Sequence, residues 1–242
     1  MKIKIGGLQK LTLIDYPGKV AATIFLKGCN FRCPFCYNPE LVLPEKMKKH
    51  PEIPEKEVFA FLNERKGLLQ GVCVTGGEPT IHPDLPNFIR QIKKLGYSVK
   101  LDTNGSNPEM LKKLIRNKLV DYVAMDVKAI PEKAPSSKFK TAYEKATGVK
   151  VNLEEIKKSI EIIKNSGIDC EFRTTVVPGI HTKEEILKLA RLIAPAKNYY
   201  LQSFRPGKNI NQKFAKTQPY PNEVLVEIQN AIAFFFENCR VR

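Results

Sequence analysis

Cys29, Cys33 and Cys36 fall within eight residues, in GCNFRCPFC, so the first question is what three clustered thiolates can do. A structural zinc site takes four ligands, usually as paired knuckles. No second cysteine pair exists, and the nearest histidine, His50, is distant in sequence. A disulfide would leave one of the three thiols unpaired, and disulfides are uncommon in reducing compartments. A [4Fe-4S] cluster normally takes four thiolates, so three from the protein leave one iron open to an exchangeable ligand. An open iron makes such a site catalytic.

Other polar residues recur where strands give way to loops. Thr75-Gly76-Gly77-Glu78-Pro79 carries two glycines that permit close backbone approach, although alone it is also an ordinary turn. Asp102-Thr103-Asn104-Gly105 and Asp126-Val127-Lys128 supply two carboxylates and an ammonium. These groups can bind an amino acid's ammonium and carboxylate or share a hard cation; equally, they can be surface charges at strand ends. Arg173 and Gln202 are further polar candidates, or structural residues. Cys73, Cys170 and Cys239 stand alone and read as buried apolar thiols.

The elements that must position these groups alternate between short β-branched runs and amphipathic helical stretches, the pattern of parallel strands joined by helical crossovers. Strands are expected at Val20–Lys27, Gly71–Thr75, Ser98–Thr103, Tyr122–Val127, Cys170–Val177 and Tyr199–Phe204. Helix starts are marked by Asp84, by Asn107 with Pro108, by Asn152, and by a Thr182/Glu185 capping box. A last helix is expected over Asn222–Glu237. Six βα units imply an α/β fold, a partial, open (β/α)6 barrel, with functional residues on loops at the carboxyl ends of the strands. Leu43–Glu55 and Ile130–Lys150 break the rhythm and read as lids or partner-facing loops, the second with a short helix around Ala142–Ala146.

The 242 residues are 43% hydrophobic and 27% charged, ordinary for a globular chain, with no repeat or linker. One domain over 1–242 is expected. Apolar runs such as Val20–Leu26 and Ala231–Phe236 are far short of a membrane span, and no secretory signal is legible, so a cytoplasmic location is expected. Forty Lys and Arg against 25 Asp and Glu leave a net +15, which attracts acidic partners or describes a solvated, lysine-rich surface. Lysine enrichment without tryptophan is compatible with a thermophilic source.

The C-x3-C-x2-C spacing, with Phe35 before the third cysteine, resembles the cluster motif of the radical S-adenosylmethionine (SAM) superfamily, and the resemblance runs through nearly the whole chain. Gly76-Gly77-Glu78 is similar to that family's GGE motif, which receives the methionine amino group. GGLQKLTLIDYPGKVAATIFLKGCNFRCPFCYNPEL resembles the amino-terminal segment of glycyl-radical-enzyme activating enzymes, particularly activators of anaerobic ribonucleoside-triphosphate reductase. The segments holding Asp102, Thr103, Asn104, Asp126 and Lys128 resemble those that contact methionine and, in some members, a monovalent cation. Tyr37 stands where many activases have histidine, which alters the adenine surroundings and not the cluster ligands. No inserted segment with extra cysteines is present.

The resemblance implies one [4Fe-4S] cluster on Cys29, Cys33 and Cys36, an electron from flavodoxin or ferredoxin, and reductive cleavage of SAM. A 5′-deoxyadenosyl radical would then take hydrogen from a backbone glycine of a partner reductase. An RNA-modifying radical enzyme and a non-catalytic iron-sulfur carrier are the alternatives. No RRM motif or KH loop supports the first, and the second has no use for the GGE or DTNG segments.

Overall fold

The structure, a computed structural model, describes residues 3–134, 136 and 140–242. It divides into two compact units. One comprises the segment ending at Asn30, Glu40–Thr103 and Glu109–Val123; the other comprises Phe31–Pro39, Asn104–Pro108 and the chain from Ala124 onward. Part of the Ile130–Lys150 stretch, residues 135 and 137–139, lies outside the described residues.

The chain forms β1 (Ile5–Thr12), β2 (Ala21–Leu26), α1 (Pro39–Val42), α2 (Pro44–Met47), α3 (Glu55–Glu64), β3 (Gly71–Gly76), α4 (Leu85–Lys94), β4 (Ser98–Thr103) and α5 (Pro108–Arg116). In the first unit the strand order is β1-β2-β3-β4, with β1 antiparallel to β2 and the remaining pairs parallel. Alternation puts Val72, Val74, Val99 and Leu101 on one fully buried face, and α3 and α4 bury Val58, Leu62, Phe88, Ile89 and Ile92. On the other face Thr23, Cys73 and Lys100 stand in register across β2, β3 and β4.

β5 (Tyr122–Asp126) carries the chain onward to α6 (Ala142–Thr147), α7 (Leu153–Lys164), β6 (Asp169–Val176), α8 (Lys183–Ile193), β7 (Ala196–Ser203), α9 (Gln212–Ala215), α10 (Asn222–Ile232) and β8 (Phe236–Val241). β6, β7 and β8 pair in parallel, in chain order. Phe172, Tyr199 and Leu201 are buried on one face, while Arg173 and Gln202 occupy the other. Among the described residues no helix is long and apolar enough to cross a membrane.

The six expected strands are present, Ser98–Thr103 with the expected ends and the other five with shifted ends; β1 and β8 were not expected. β1 pairs at the margin of the sheet and buries only its two terminal residues, so Gly6, Gly7, Gln9 and Lys10 leave no apolar alternation to read. At the other end, the expected Asn222–Glu237 helix stops at Ile232. A 3₁₀ turn (Ala233–Phe235) follows, and Phe236 onward pairs with β7. A continuous aromatic run fits either periodicity, and pairing with β7 decides it. Asn152 and the Thr182/Glu185 box cap α7 and α8 as expected, whereas Asp84 sits at the N-cap of α4 without a side-chain cap bond. The short helix expected near Ala142 is α6, closed by a Thr141/Glu144 capping box and a left-handed Gly148.

Candidate active site

In the first unit, β2 delivers Cys29 through a segment pinned on several sides. The buried Lys27 ammonium donates to the carbonyls of Met47 (3.1 Å) and His50 (2.5 Å), anchoring the Leu43–Glu55 stretch. Gly28 adopts φ +98° and donates to Leu41 O. The Gly76-Gly77-Glu78 turn lies backbone to backbone on this segment: Gly77 N donates to Leu26 O and Glu78 N to Gly28 O, both at 2.8 Å. A Cβ on Gly76 would stand 2.3 Å from Leu26 N and O, and one on Gly77 would stand 1.9 Å from Gly28 O. Only glycine fits either position.

Glu78 is 1% exposed. Its Oε1 accepts from Thr80 N (3.0 Å), Thr80 Oγ1 (2.5 Å) and Thr103 Oγ1 (2.7 Å), which ties Thr103 to the GGE turn. Asp102 pairs with the buried Lys100, whose ammonium also lies 5.9 Å from the Tyr122 ring centroid. Cys73 is buried as expected, but its neighbours are Lys100 Nζ (3.9 Å) and Asp102 Oδ1 (3.7 Å), so its surroundings are charged and not apolar. β3 and β4 are in register, which places Lys100 directly across from Cys73.

In the second unit, Cys33 and Cys36 share one turn, closed by Cys36 N donating to Cys33 O at 2.9 Å. Helix α6 holds the front of this loop. Arg32 N donates to Thr147 O (2.8 Å), Phe31 packs edge-on to Tyr143, and a Cβ on Gly148 would meet Arg32 O at 2.3 Å. The segment after β7 holds the back: Asn209 Nδ2 donates to Phe35 O (2.9 Å), Ile210 N to Cys36 O (3.2 Å) and Asn211 N to Pro34 O (2.9 Å). Phe35 is buried, while Tyr37 is 50% exposed beside Gly207.

Asp126 joins Lys128 (3.0 Å) and Arg173 (2.7 Å). Burial alone would raise the Asp126 pKa, but the Arg173 and Lys128 charges and hydrogen bonds outweigh it and hold the carboxyl well below the usual range. Burial likewise pulls Lys128 downward, and the Asp126 carboxylate overcomes it, so the ammonium stays charged. His181 braces this corner: Val177 N donates to Nδ1 (3.0 Å), which leaves Nε2–H to donate to Lys128 O (2.7 Å). Asn104 accepts from Ser106 N in a local turn, and Gln202 lies half-buried on β7 across from Thr175.

Within the first unit the structure thus brings Cys29, Gly76, Gly77, Glu78 and Thr103 together, and Asp102 pairs with Lys100. Within the second it brings Cys33, Asp126, Lys128 and Arg173 together, with Phe35, Cys36 and Tyr37 on the same loop. Lys27, Lys100, Asn209, Tyr143 and His181 carry no motif, and their roles come from contacts across tens of residues. Only Gly148, placed as a helix stop, had a local signal. Cys170 and Cys239 are half-buried, not fully buried as expected. Burial raises both thiols, Cys239 to about 11, which suits inert structural cysteines.

The donor set fits a [4Fe-4S] cluster. Cys29, Cys33 and Cys36 are outside any disulfide and sit on glycine-shaped or tightly turned backbone. Among the described residues no three His, Cys, Asp or Glu side chains are grouped to hold a metal ion. A cubane takes one thiolate per iron, so its cysteines need not converge as the ligands of a lone ion must.

The chain matches the Radical SAM superfamily over residues 23–193, and it belongs to that superfamily. It is therefore a radical SAM enzyme, and the family's chemistry uses a [4Fe-4S] cluster and SAM. It is 35% identical to the "Putative glycyl-radical enzyme activating enzyme MJ1227" of Methanocaldococcus jannaschii, over 100% of this chain and 97% of that protein. It is 26% identical to a pyruvate formate-lyase-activating enzyme of Clostridium pasteurianum, over 81% of this chain and 78% of that one. Among solved structures, Streptococcus suis SuiB bound to S-adenosylmethionine matches with TM-score 0.65 and 16% identity, over 88% of this chain. This chain spans about half of SuiB (48%). That likeness shows the fold, the α/β partial barrel of radical SAM enzymes.

Proposed function

We propose that this enzyme generates a glycyl radical on a partner protein, and that the partner is an anaerobic ribonucleoside-triphosphate reductase. The observation that carries the reading is the 35% identity to a protein named as a glycyl-radical enzyme activating enzyme, running over the whole of this chain. The narrower choice of reductase rests on the resemblance of the amino-terminal segment through Leu41. We propose further that residues 1–242 act as one radical SAM domain, in the cytoplasm.

In this reading Cys29, Cys33 and Cys36 hold the cluster, which when reduced supplies one electron to cleave SAM. Lys128 stays an ammonium, paired with Asp126. The Gly76-Gly77-Glu78 turn offers the close approach that the methionine end of the cofactor needs, with Glu78 held rigid by Thr80 and Thr103. Phe35, Tyr37 and Gln202 serve the nucleoside end, and Arg173 the carboxylate end. A monovalent cation at the Asp102, Thr103, Asn104 and Asp126 segments belongs to the same proposal. Flavodoxin or ferredoxin, typically acidic, would be drawn by the net +15, with association slowing as salt rises.

The test is anaerobic reconstitution with iron and sulfide, reduction, and assay for 5′-deoxyadenosine. Cys29→Ala, Cys33→Ala and Cys36→Ala should each abolish the product, while Cys73→Ala should keep it. Incubation with the reductase should yield a glycine-centred doublet by electron paramagnetic resonance. A silent reductase alongside normal SAM cleavage would overturn the partner and leave the radical SAM chemistry intact.

A further inference from the structure

The cysteine loop of the second unit is fastened by a segment that no motif marks. Three consecutive carbonyls, those of Pro34, Phe35 and Cys36, accept hydrogen bonds from Asn211 N, Asn209 Nδ2 and Ile210 N. Two of the three donors are backbone groups that any residue supplies. The third is a side chain, and it is 2% exposed.

The orientation of the Asn209 amide follows from its surroundings. Nδ2 faces two carbonyls, Phe35 O at 2.9 Å and Arg205 O at 3.3 Å, so the donor end must point there. The other end, Oδ1, is buried with no hydrogen-bond partner among the described residues. Burying an orphan acceptor is unfavourable. The fold accepts that cost in order to place a donor on Phe35 O, one residue from Cys36. A residue serving only to fill space there would be apolar.

We propose that Asn209 is a positioning residue for the cluster, holding the Cys33–Cys36 turn in its metal-receiving form before metal arrives. This rests on the assignment of Cys29, Cys33 and Cys36 as cluster ligands. Nδ2 bridges the loop to the carbonyl of Arg205, so the side chain links the segment after β7 to the loop that carries two thiolates. Without it the Phe35 carbonyl loses its donor, and the loop is held to the segment after β7 by the Ile210 and Asn211 backbone bonds alone, which loosens the Cys33–Cys36 turn.

The test uses the full chain and two variants that read the donor end separately from packing. Asn209→Ala removes the side-chain amide; Asn209→Asp keeps the shape and the acceptor and lacks the donor. Hydrogen exchange of the metal-free protein should show the 31–37 segment exchanging at least ten-fold faster in both variants, with the β2 and β3 segments unchanged. Iron and sulfide retained after anaerobic reconstitution should fall to half or less of the wild-type content. Asn211→Ala is the control: its side chain caps α9 through Lys213 N, and its backbone bond to Pro34 survives substitution, so both readouts should stay at wild type.

Wild-type exchange of the 31–37 segment in Asn209→Asp overturns the inference. So does faster exchange spread evenly over the whole chain, which would make Asn209 a general packing residue. A wild-type protein that retains no iron sinks the ligand assignment instead, and the exchange of the metal-free loop then still decides whether Asn209 holds it.

Discussion

Gly77 lies against the backbone that carries Cys29. Its Cβ would stand 1.9 Å from Gly28 O, 2.6 Å from Gly28 C and 3.2 Å from Cys29 N, all backbone atoms that no rotamer change can move aside. Gly77→Ala must therefore push β3's end away from β2's end, stretching two hydrogen bonds, Gly77 N to Leu26 O and Glu78 N to Gly28 O. Overpacking of this kind costs about 1–3 kcal/mol, and two weakened backbone bonds add about 1 kcal/mol each, so a loss of about 4 kcal/mol is expected. That is a large share of the roughly 5–15 kcal/mol that holds a domain together. Gly96 provides the comparison: its φ is +93°, but nothing lies within 4 Å of a Cβ there, so Gly96→Ala carries backbone strain alone, about 1 kcal/mol. Thermal unfolding of the metal-free variants should show a loss of roughly 10 °C for Gly77→Ala and roughly 3 °C for Gly96→Ala. Equal losses in the two variants would refute the claim that close approach, and not backbone conformation, selects glycine at position 77.

Three further outcomes follow from buried charges in the two units. Lys100→Met leaves Asp102 beside Cys73 without its cation and should destabilise by about 3–5 kcal/mol in urea titrations; adding Asp102→Leu should recover at least half, because an apolar pair replaces the broken one. Burial lowers the His181 pKa, so its neutral form is favoured in the folded protein and its contribution is complete above about pH 6.5. As pH falls toward the lowered folded value the contribution is lost. The urea midpoint should decline between pH 7 and pH 5 in wild type, less so in His181→Gln, and identical slopes would contradict a His181 held neutral by the fold. Lys27→Met removes the donor shared by Met47 O and His50 O, so limited proteolysis within 43–53 should accelerate several-fold at constant global stability.

What could be read along the chain was what repeats or clusters locally. The alternation of β-branched runs with amphipathic helices announced parallel strands and their crossovers, because a buried face imposes its period on nearby residues. The Asn152 and Thr182/Glu185 caps were legible for the same reason: a cap is satisfied within three residues. β1 and β8 were not, since each is held by its pairing with a neighbour and carries little apolar pattern of its own.

The candidate site divides along the same line. The three thiols, the glycine pair and the strand-end carboxylates are chemical statements that the amino-acid order makes unaided. Which of them are engaged, and by what, was decided in three dimensions. Thr103 reaches Glu78 across 25 residues, Arg173 reaches Asp126 across 47, and Asn209 reaches the Phe35 carbonyl across 174. No sequence period encodes separations of that kind. A hydrogen bond is satisfied by proximity in space, and proximity between such distant positions exists only after the strands have paired and the helices have covered them.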